Sequence, residues 1–118
     1  MHELALTQDI LDTALDYARR TNSQKVLTIV LRLGALRDVQ QEWLQHYFNF
    51  IRKGTVAEEA EILVIVNPIV FKCRECGKEF EVDRSRLIEE DVACPDCASK
   101  NYTLVSGTEF RIEGIEVV

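Results

Sequence analysis

The sequence predicts an α+β fold: a small sheet covered on one face by two helices, with a four-cysteine module inserted ahead of the last strand. Three observations predict it. Apolar residues recur at helical spacing in two segments of the first half. They alternate at strand spacing in three further segments. All four cysteines of the 118-residue chain fall in one stretch before the final strand.

The first helix is expected from about Leu4 to Arg20, where Ile10, Leu11, Ala14, Tyr17 and Ala18 share a face. Asp9 and Asp12 come early and Arg19 and Arg20 late, the order that complements the helix dipole. Asn22 suits the stop. Lys25 to Leu33 reads as a strand whose aliphatic face, Leu27, Ile29, Leu31 and Leu33, is the core side, and Gly34 ends it. Asp38 then reads as an N-cap, with Gln41 in the reciprocal capping-box position. The second helix is expected over 39–53, with Trp43, Leu44, Tyr47, Phe48 and Ile51 as its apolar stripe and Gly54 past its end. Glu61 to Asn67 is a second strand stopped by Pro68. Thr108 to Val118 alternates again and reads as a strand returning to the first sheet, with a bulge at Gly114. This divides the chain into an α+β domain, 1–68 plus 106–118, and a cysteine domain, 69–105.

Composition narrows the function. Hydrophobic residues make up 47%, enough for a real core. Lys+Arg is 14 against Asp+Glu 20, a net charge of −6. Neither the basic footprint of a nucleic-acid binder nor the polybasic signature of an anionic-membrane binder is present. The longest apolar run, Ile62 to Phe71, is broken by Asn67 and Pro68 and is too short to span a bilayer. The start lacks the basic residues and apolar run of a signal peptide, so the expected compartment is the cytoplasm. Paired cysteines there favour a metal over disulfides.

The cysteine pattern is Cys73-Arg-Glu-Cys76, then 17 residues, then Cys94-Pro-Asp-Cys97. A two-residue gap lets two thiolates of one turn reach one ion, and two such turns complete a tetrahedron. Gly77 suits the strained residue of the first turn and Pro95 stiffens the second. The spacing fits a zinc-ribbon module with a structural zinc ion. Phe80, Val82 and Leu87 in the spacer supply a hairpin that packs on Phe71. Two disulfides, four free thiols, or a rubredoxin-like iron site are the alternatives; Ala98 follows the second pair where the iron family has glycine. Residues 69–105 carry six basic and eight acidic groups. A zinc tetrathiolate adds about −2 more, so phosphate backbones are repelled. Arg84 and Arg86 are the basic stripe that remains.

His2 sits beside the chain's first amine. With Met1 retained, the α-amine, the His2 backbone nitrogen and the His2 imidazole lie within reach of one ion, a donor set that favours square-planar Ni(II) or Cu(II). Glu3 adds a carboxylate, as a ligand or as an acceptor behind the ligands. The plain alternative is a solvated terminus. His46 reads as a half-exposed residue of the second helix, with Glu42 the one obvious partner for any ligand role.

Met1-His2-Glu3-Leu4, Gly34 ending a strand, the two Cys-x-x-Cys pairs and the closing Gly107-Thr108-Glu109-Phe110 into Ile115-Glu116-Val117 occur in one order. Together they resemble the hydrogenase-maturation nickel metallochaperones, the HypA/HybF family, over essentially the whole chain. The resemblance implies nickel, Ni(II), as cargo at Met1 (through its amine), His2 and Glu3. It implies zinc, Zn(II), at Cys73, Cys76, Cys94 and Cys97. Some members add a carboxylate at the position of Gln40; here it is missing. The partners implied are a maturation GTPase and the [NiFe]-hydrogenase large subunit, with a urease-maturation partner and a homodimer left open. No nucleic acid, membrane or catalysis is expected, since no cluster of Ser, His and acidic residues suggests a nucleophile or base. The competing reading is a zinc-ribbon adaptor that binds protein or nucleic acid and carries no cargo metal.

Overall fold

The computed structural model describes residues 3–118; the expectations at Met1 and His2 lie outside the described residues. In chain order the elements are α1 (Glu3–Arg20), β1 (Val26–Gly34), α2 (Gln41–Ile51), β2 (Glu61–Asn67), β3 (Ile69–Cys73), β4 (Glu79–Val82), α3 (Arg84–Glu89), β5 (Tyr102–Ser106) and β6 (Phe110–Val117). Two three-stranded sheets result, ordered β2-β1-β6 and β4-β3-β5. The α+β class is as expected, and the closing strand does return to the first sheet. The chain divides into two compact units, one of Met1–Arg32, Asp38–Ile65 and Arg111–Val118, the other of Leu33–Arg37 and Val66–Phe110.

In the first unit, α1 buries Leu6, Ile10, Leu11, Ala14 and Ala18, one stripe at three- and four-residue spacing. Asn22 ends it in the left-handed region, with φ 53°. Ile29 and Leu31 of β1 and Leu44 and Phe48 of α2 complete a core whose members are almost wholly shielded from water. At the start of β1 the alternation differs from expectation. Val26 is fully buried and Leu27 only half-buried, because the Val26 amide bonds the Val56 carbonyl and so lies against the turn before β2.

Backbone pairs fix the strand directions. Lys25 exchanges bonds with Val118, and the Gly34 amide bonds the Glu109 carbonyl, so β1 and β6 run antiparallel. Val26 bonds Val56 at one end of β1 and Ala35 bonds Asn67 at the other, so β1 and β2 run parallel with α2 as the crossover. On β6, Glu113 meets Arg32 at 3.1 Å and Glu116 meets the Thr28 hydroxyl at 3.4 Å.

The second helix is shorter than expected. It spans Gln41–Ile51, not 39–53, and its N-cap is Gln40, which makes no side-chain cap bond. The Gln40 carbonyl accepts from the Trp43 and Leu44 amides and so sets the first turn. Two side chains, one from this helix and one from its C-cap residue, cover the start of the β2 edge. The Ile62 amide donates to Gln45 Oε1 at 3.3 Å, and the Arg52 guanidinium donates to the Ala60 carbonyl.

In the second unit β3 is the central strand. Phe71 lies opposite Phe80 of β4 and near Tyr102 of β5, with ring centroids 6.0 and 4.7 Å away. The hairpin expected on Phe71 is thus the β3–β4 pair, and Leu87 packs on it from α3, a helix the sequence did not announce. Gly34 belongs to this unit for a steric reason. A Cβ there would stand 2.1 Å from the Gly107 carbonyl oxygen, so only glycine permits the approach.

Candidate metal centre

Each cysteine pair forms the same tight turn. In the first, the Gly77 amide donates to the Cys73 carbonyl at 3.0 Å and the Cys73 amide to the Lys78 carbonyl at 2.8 Å. In the second, the Ala98 amide donates to the Cys94 carbonyl and the Cys94 amide to the Ser99 carbonyl, both at 2.9 Å. The turns require a left-handed residue after the second cysteine. Gly77 supplies it at φ 78° without penalty, and Ala98 supplies it at φ 60° under strain.

The two turns meet. Cys73 Sγ lies 3.5 Å from Cys97 Sγ, Cys76 Sγ lies 3.6 Å from Cys94 Sγ, and all four sulfurs fall within 4.8 Å of one another. Zinc–sulfur bonds of about 2.3 Å in a tetrahedron separate sulfurs by roughly 3.8 Å. The four residues therefore fit a zinc-sized ion with a closed thiolate shell. Among the described residues no other set of three or more His, Cys, Asp or Glu converges in this way.

Supporting contacts hold the cluster. The Arg74 amide donates to the Asn101 carbonyl at 2.9 Å, tying the first turn to the chain just before β5. The Tyr102 hydroxyl donates to the Val92 carbonyl at 3.1 Å, anchoring the approach to Cys94. Lys78 pairs with Asp96 at 3.7 Å, and Lys100 pairs with Asp91. None of these four contacts joins neighbours in sequence, and no motif marks them.

The thiols are not equivalent. Cys73 and Cys94 are buried, while Cys76 and Cys97 are exposed. Backbone amides, that of Cys76 foremost and then that of Glu75, aim at the Cys73 sulfur and draw its pKa down to about 6. The Ser99 amide favours the Cys97 thiolate, but the neighbouring sulfurs and burial outweigh it and push that thiol up to about 12. At Cys76 the Lys78 amide likewise loses to its neighbours, and its pKa is raised. Four thiolates cannot share this volume without a cation; one dication removes the conflict.

Glu3 is the first residue of α1, and its Oε1 stands 3.5 Å from the Gln40 amide. His46 is exposed, with its ring edge-on to Trp43 and Tyr47 at 5.5 and 5.6 Å. It lies beside an apolar groove of about 820 Å³ between α1 and α2, with Leu4 and Phe50 among the walls. No helix among the described residues is long and apolar enough to cross a membrane.

An α+β fold carrying a convergent four-thiol cluster defines a small metal-binding protein. Comparison with known proteins narrows the class. The model of the family described as "Hydrogenase/urease nickel incorporation, metallochaperone, hypA" matches residues 1–117. The hydrogenase maturation factor HypA of Thermococcus sibiricus is 38% identical, over 99% of this chain and 96% of that one. That of Aquifex aeolicus is 35% identical, over 99% and 97%. Two solution structures share the fold at 19% identity. One is the Ni metallochaperone HypA from Helicobacter pylori, with a TM-score of 0.66 over 100% of this chain and 98% of that one. The other is a HypA protein with a TM-score of 0.73 over 100% and 97%. The chain belongs to the HypA family of hydrogenase and urease nickel-incorporation metallochaperones.

Proposed function

We propose that this protein binds Ni(II) at its N-terminus and delivers it for maturation of the [NiFe]-hydrogenase active site, acting in the cytoplasm and without catalysing a reaction. Family membership over residues 1–117, with Met1-His2-Glu3 at the start, carries the reading. Nickel is the cargo. The α-amine of Met1 and the backbone and imidazole nitrogens of His2 suit it, and Glu3 brings a carboxylate alongside. A site at a chain end can be dismantled ligand by ligand, which a carrier needs. Zinc at Cys73, Cys76, Cys94 and Cys97 supplies fold stability to the cysteine domain (69–105), and the α+β domain (1–68 plus 106–118) handles nickel. The partners are a maturation GTPase and the hydrogenase large subunit, with urease maturation served by the same chemistry.

Metal analysis of untagged protein tests this. About one weakly held nickel and one tightly held zinc per chain are expected. His2→Ala, or one residue added before Met1, abolishes nickel binding and spares zinc. Unchanged nickel affinity in both variants would overturn the reading and favour an adaptor without cargo.

A further inference from the structure

We propose that the exposed aromatic face of α2 is a docking surface for a second copy of this chain, met antiparallel across a two-fold axis. The inference goes beyond the nickel reading and does not depend on it.

α2 is apolar on two faces, and the chain itself buries one of them. Leu44 and Phe48 are fully buried. Trp43, His46, Tyr47 and Phe50 recur at three- and four-residue spacing and form a second stripe. Trp43 is 44% exposed and Phe50 71%, His46 is exposed and Tyr47 half-buried. The rings order one another: Trp43 stacks on Tyr47 at 5.7 Å, and His46 meets both edge-on. Beside the stripe lies the apolar groove between α1 and α2, where Leu4 is 50% exposed. Aromatic side chains held in this way make good interface anchors, because little freedom is left to lose on binding.

The order of residues in the stripe selects its occupant. The four are symmetrical about the midpoint between His46 and Tyr47, with a bulky ring three residues outward on each side. Two antiparallel copies related by a two-fold axis at that point bring Trp43 of each onto Phe50 of the other, with His46 and Tyr47 around the axis. Charge points the same way. A net charge of −6 makes copies repel over most of their surface, yet neither the stripe nor the groove walls carry Asp, Glu, Lys or Arg. The charges at the two ends of the stripe are opposite. Glu42 borders Trp43 and His46 at one end, and Lys53 Nζ stands 5.6 Å over the Phe50 ring at the other. Neither makes an ion pair among the described residues. An antiparallel copy brings Glu42 of one chain to within about 3 Å, along the axis, of Lys53 of the other. A parallel copy would set like charges together. Few side chains take part, so the interface falls below the standard size and the association is weak and concentration-dependent.

Sedimentation of the untagged, zinc-loaded full chain without nickel tests this. The mass is expected to pass from one chain to two over roughly two decades of micromolar concentration, the regime of small interfaces. Phe50→Ser removes a mostly exposed ring twice per pair and should weaken association at least about tenfold. Glu42→Lys and Lys53→Glu should each weaken self-association about three- to tenfold at low salt. An equimolar mixture of those two variants should regain the wild-type affinity, because each cross pair then joins opposite charges. A wild type that stays a single chain overturns the proposal and leaves the stripe to a chain of another kind. A pair that forms equally well in Phe50→Ser, or a mixture no tighter than its parts, overturns it too and places the contact elsewhere. Circular dichroism checks that each variant is folded, and the charge variants decide alone if Phe50→Ser is not.

Discussion

In the first unit the largest fully buried side chains are aliphatic and aromatic, among them Ile10, Ile29, Leu31, Leu44 and Phe48 from two helices and a strand, with Thr7 the one buried polar side chain beside them. In the second unit the buried cluster is Ile69, Phe71, Cys73, Phe80, Val82, Val92 and Cys94, so two of its seven members are candidate metal ligands. The first unit can hold itself by apolar burial, at about 1.5–3 kcal/mol for each large side chain. The second has few such side chains, and its remaining cohesion converges on four sulfurs. A segment of this size with so small a core is where metals replace hydrophobic burial. Under the proposed function, the difference predicts that cargo and scaffold metal are separable, because the second unit alone would depend on an ion to fold.

Metal removal should have the largest effect. Chelation, or Cys94→Ser, should disperse the second unit and leave the first folded; apparent zinc-binding energies in small metal-dependent folds run about 10–16 kcal/mol. Amide spectra are the check, with resonances of 66–110 collapsing while those of α1 and α2 persist. A second unit that stays ordered would break the comparison. The converse is Phe48→Ala, expected to cost the first unit about 3–5 kcal/mol. Zinc content and the resonances of 69–105 should not change.

Acidity should weaken zinc binding by the second unit. Metal-free Cys97, at about 12, and Cys76, raised, are thiols at pH 7, and both must give up protons to bind zinc. Affinity therefore falls as pH falls, by at least about a hundredfold per unit for two protons. Cys73, at about 6, is already ionised at pH 7 and adds a further proton only below that value. Competition with a zinc chelator across pH 5.5–7.5 measures the slope. A flat profile would mean that the thiols are not the ligands.

Two glycine-type substitutions sharpen the picture. Gly34→Ala forces a Cβ into the Gly107 carbonyl and should destabilise the second unit by about 1–3 kcal/mol or more, read as a lower Tm. Ala98→Gly should stabilise the same unit by about 1 kcal/mol, since Ala98 holds φ 60° where glycine is unstrained. Zinc retention under chelator challenge would rise with it.

What the sequence disclosed follows from the range of the interactions. The cysteine turns were legible because their hydrogen bonds close within five residues. The strands showed themselves through alternation, and α1 through its stripe. The start of α2 was misread because Asp38 and Gln41 carry a local capping pattern, while Gln40 is the N-cap and the carboxylate at that end comes from 37 residues away. Val26 and Leu27 exchanged places because a distant turn lies on that end of β1. The props of the sulfur cluster, Asn101 and Tyr102, carried no signal, since their partners are Arg74 and Val92. Of the proposed nickel motif, the sequence gives the donor order and the structure gives only the neighbours of Glu3.

The side chains of Gln45 and Arg52 that cover Ala60 and Ile62 have a consequence for solubility. A strand with neighbours on one side only can recruit another chain. β2 is such a strand, and Leu63, Ile65 and Val66 on it are exposed. While α2 is in place, Gln45 and the C-cap residue Arg52 occupy the first bonding positions of that edge. When α2 melts, that guard goes with it and an uncharged run from Ile62 to Asn67 becomes a template. Heated samples should therefore cloud at the temperature where α2 is lost, read by comparing turbidity with helix content.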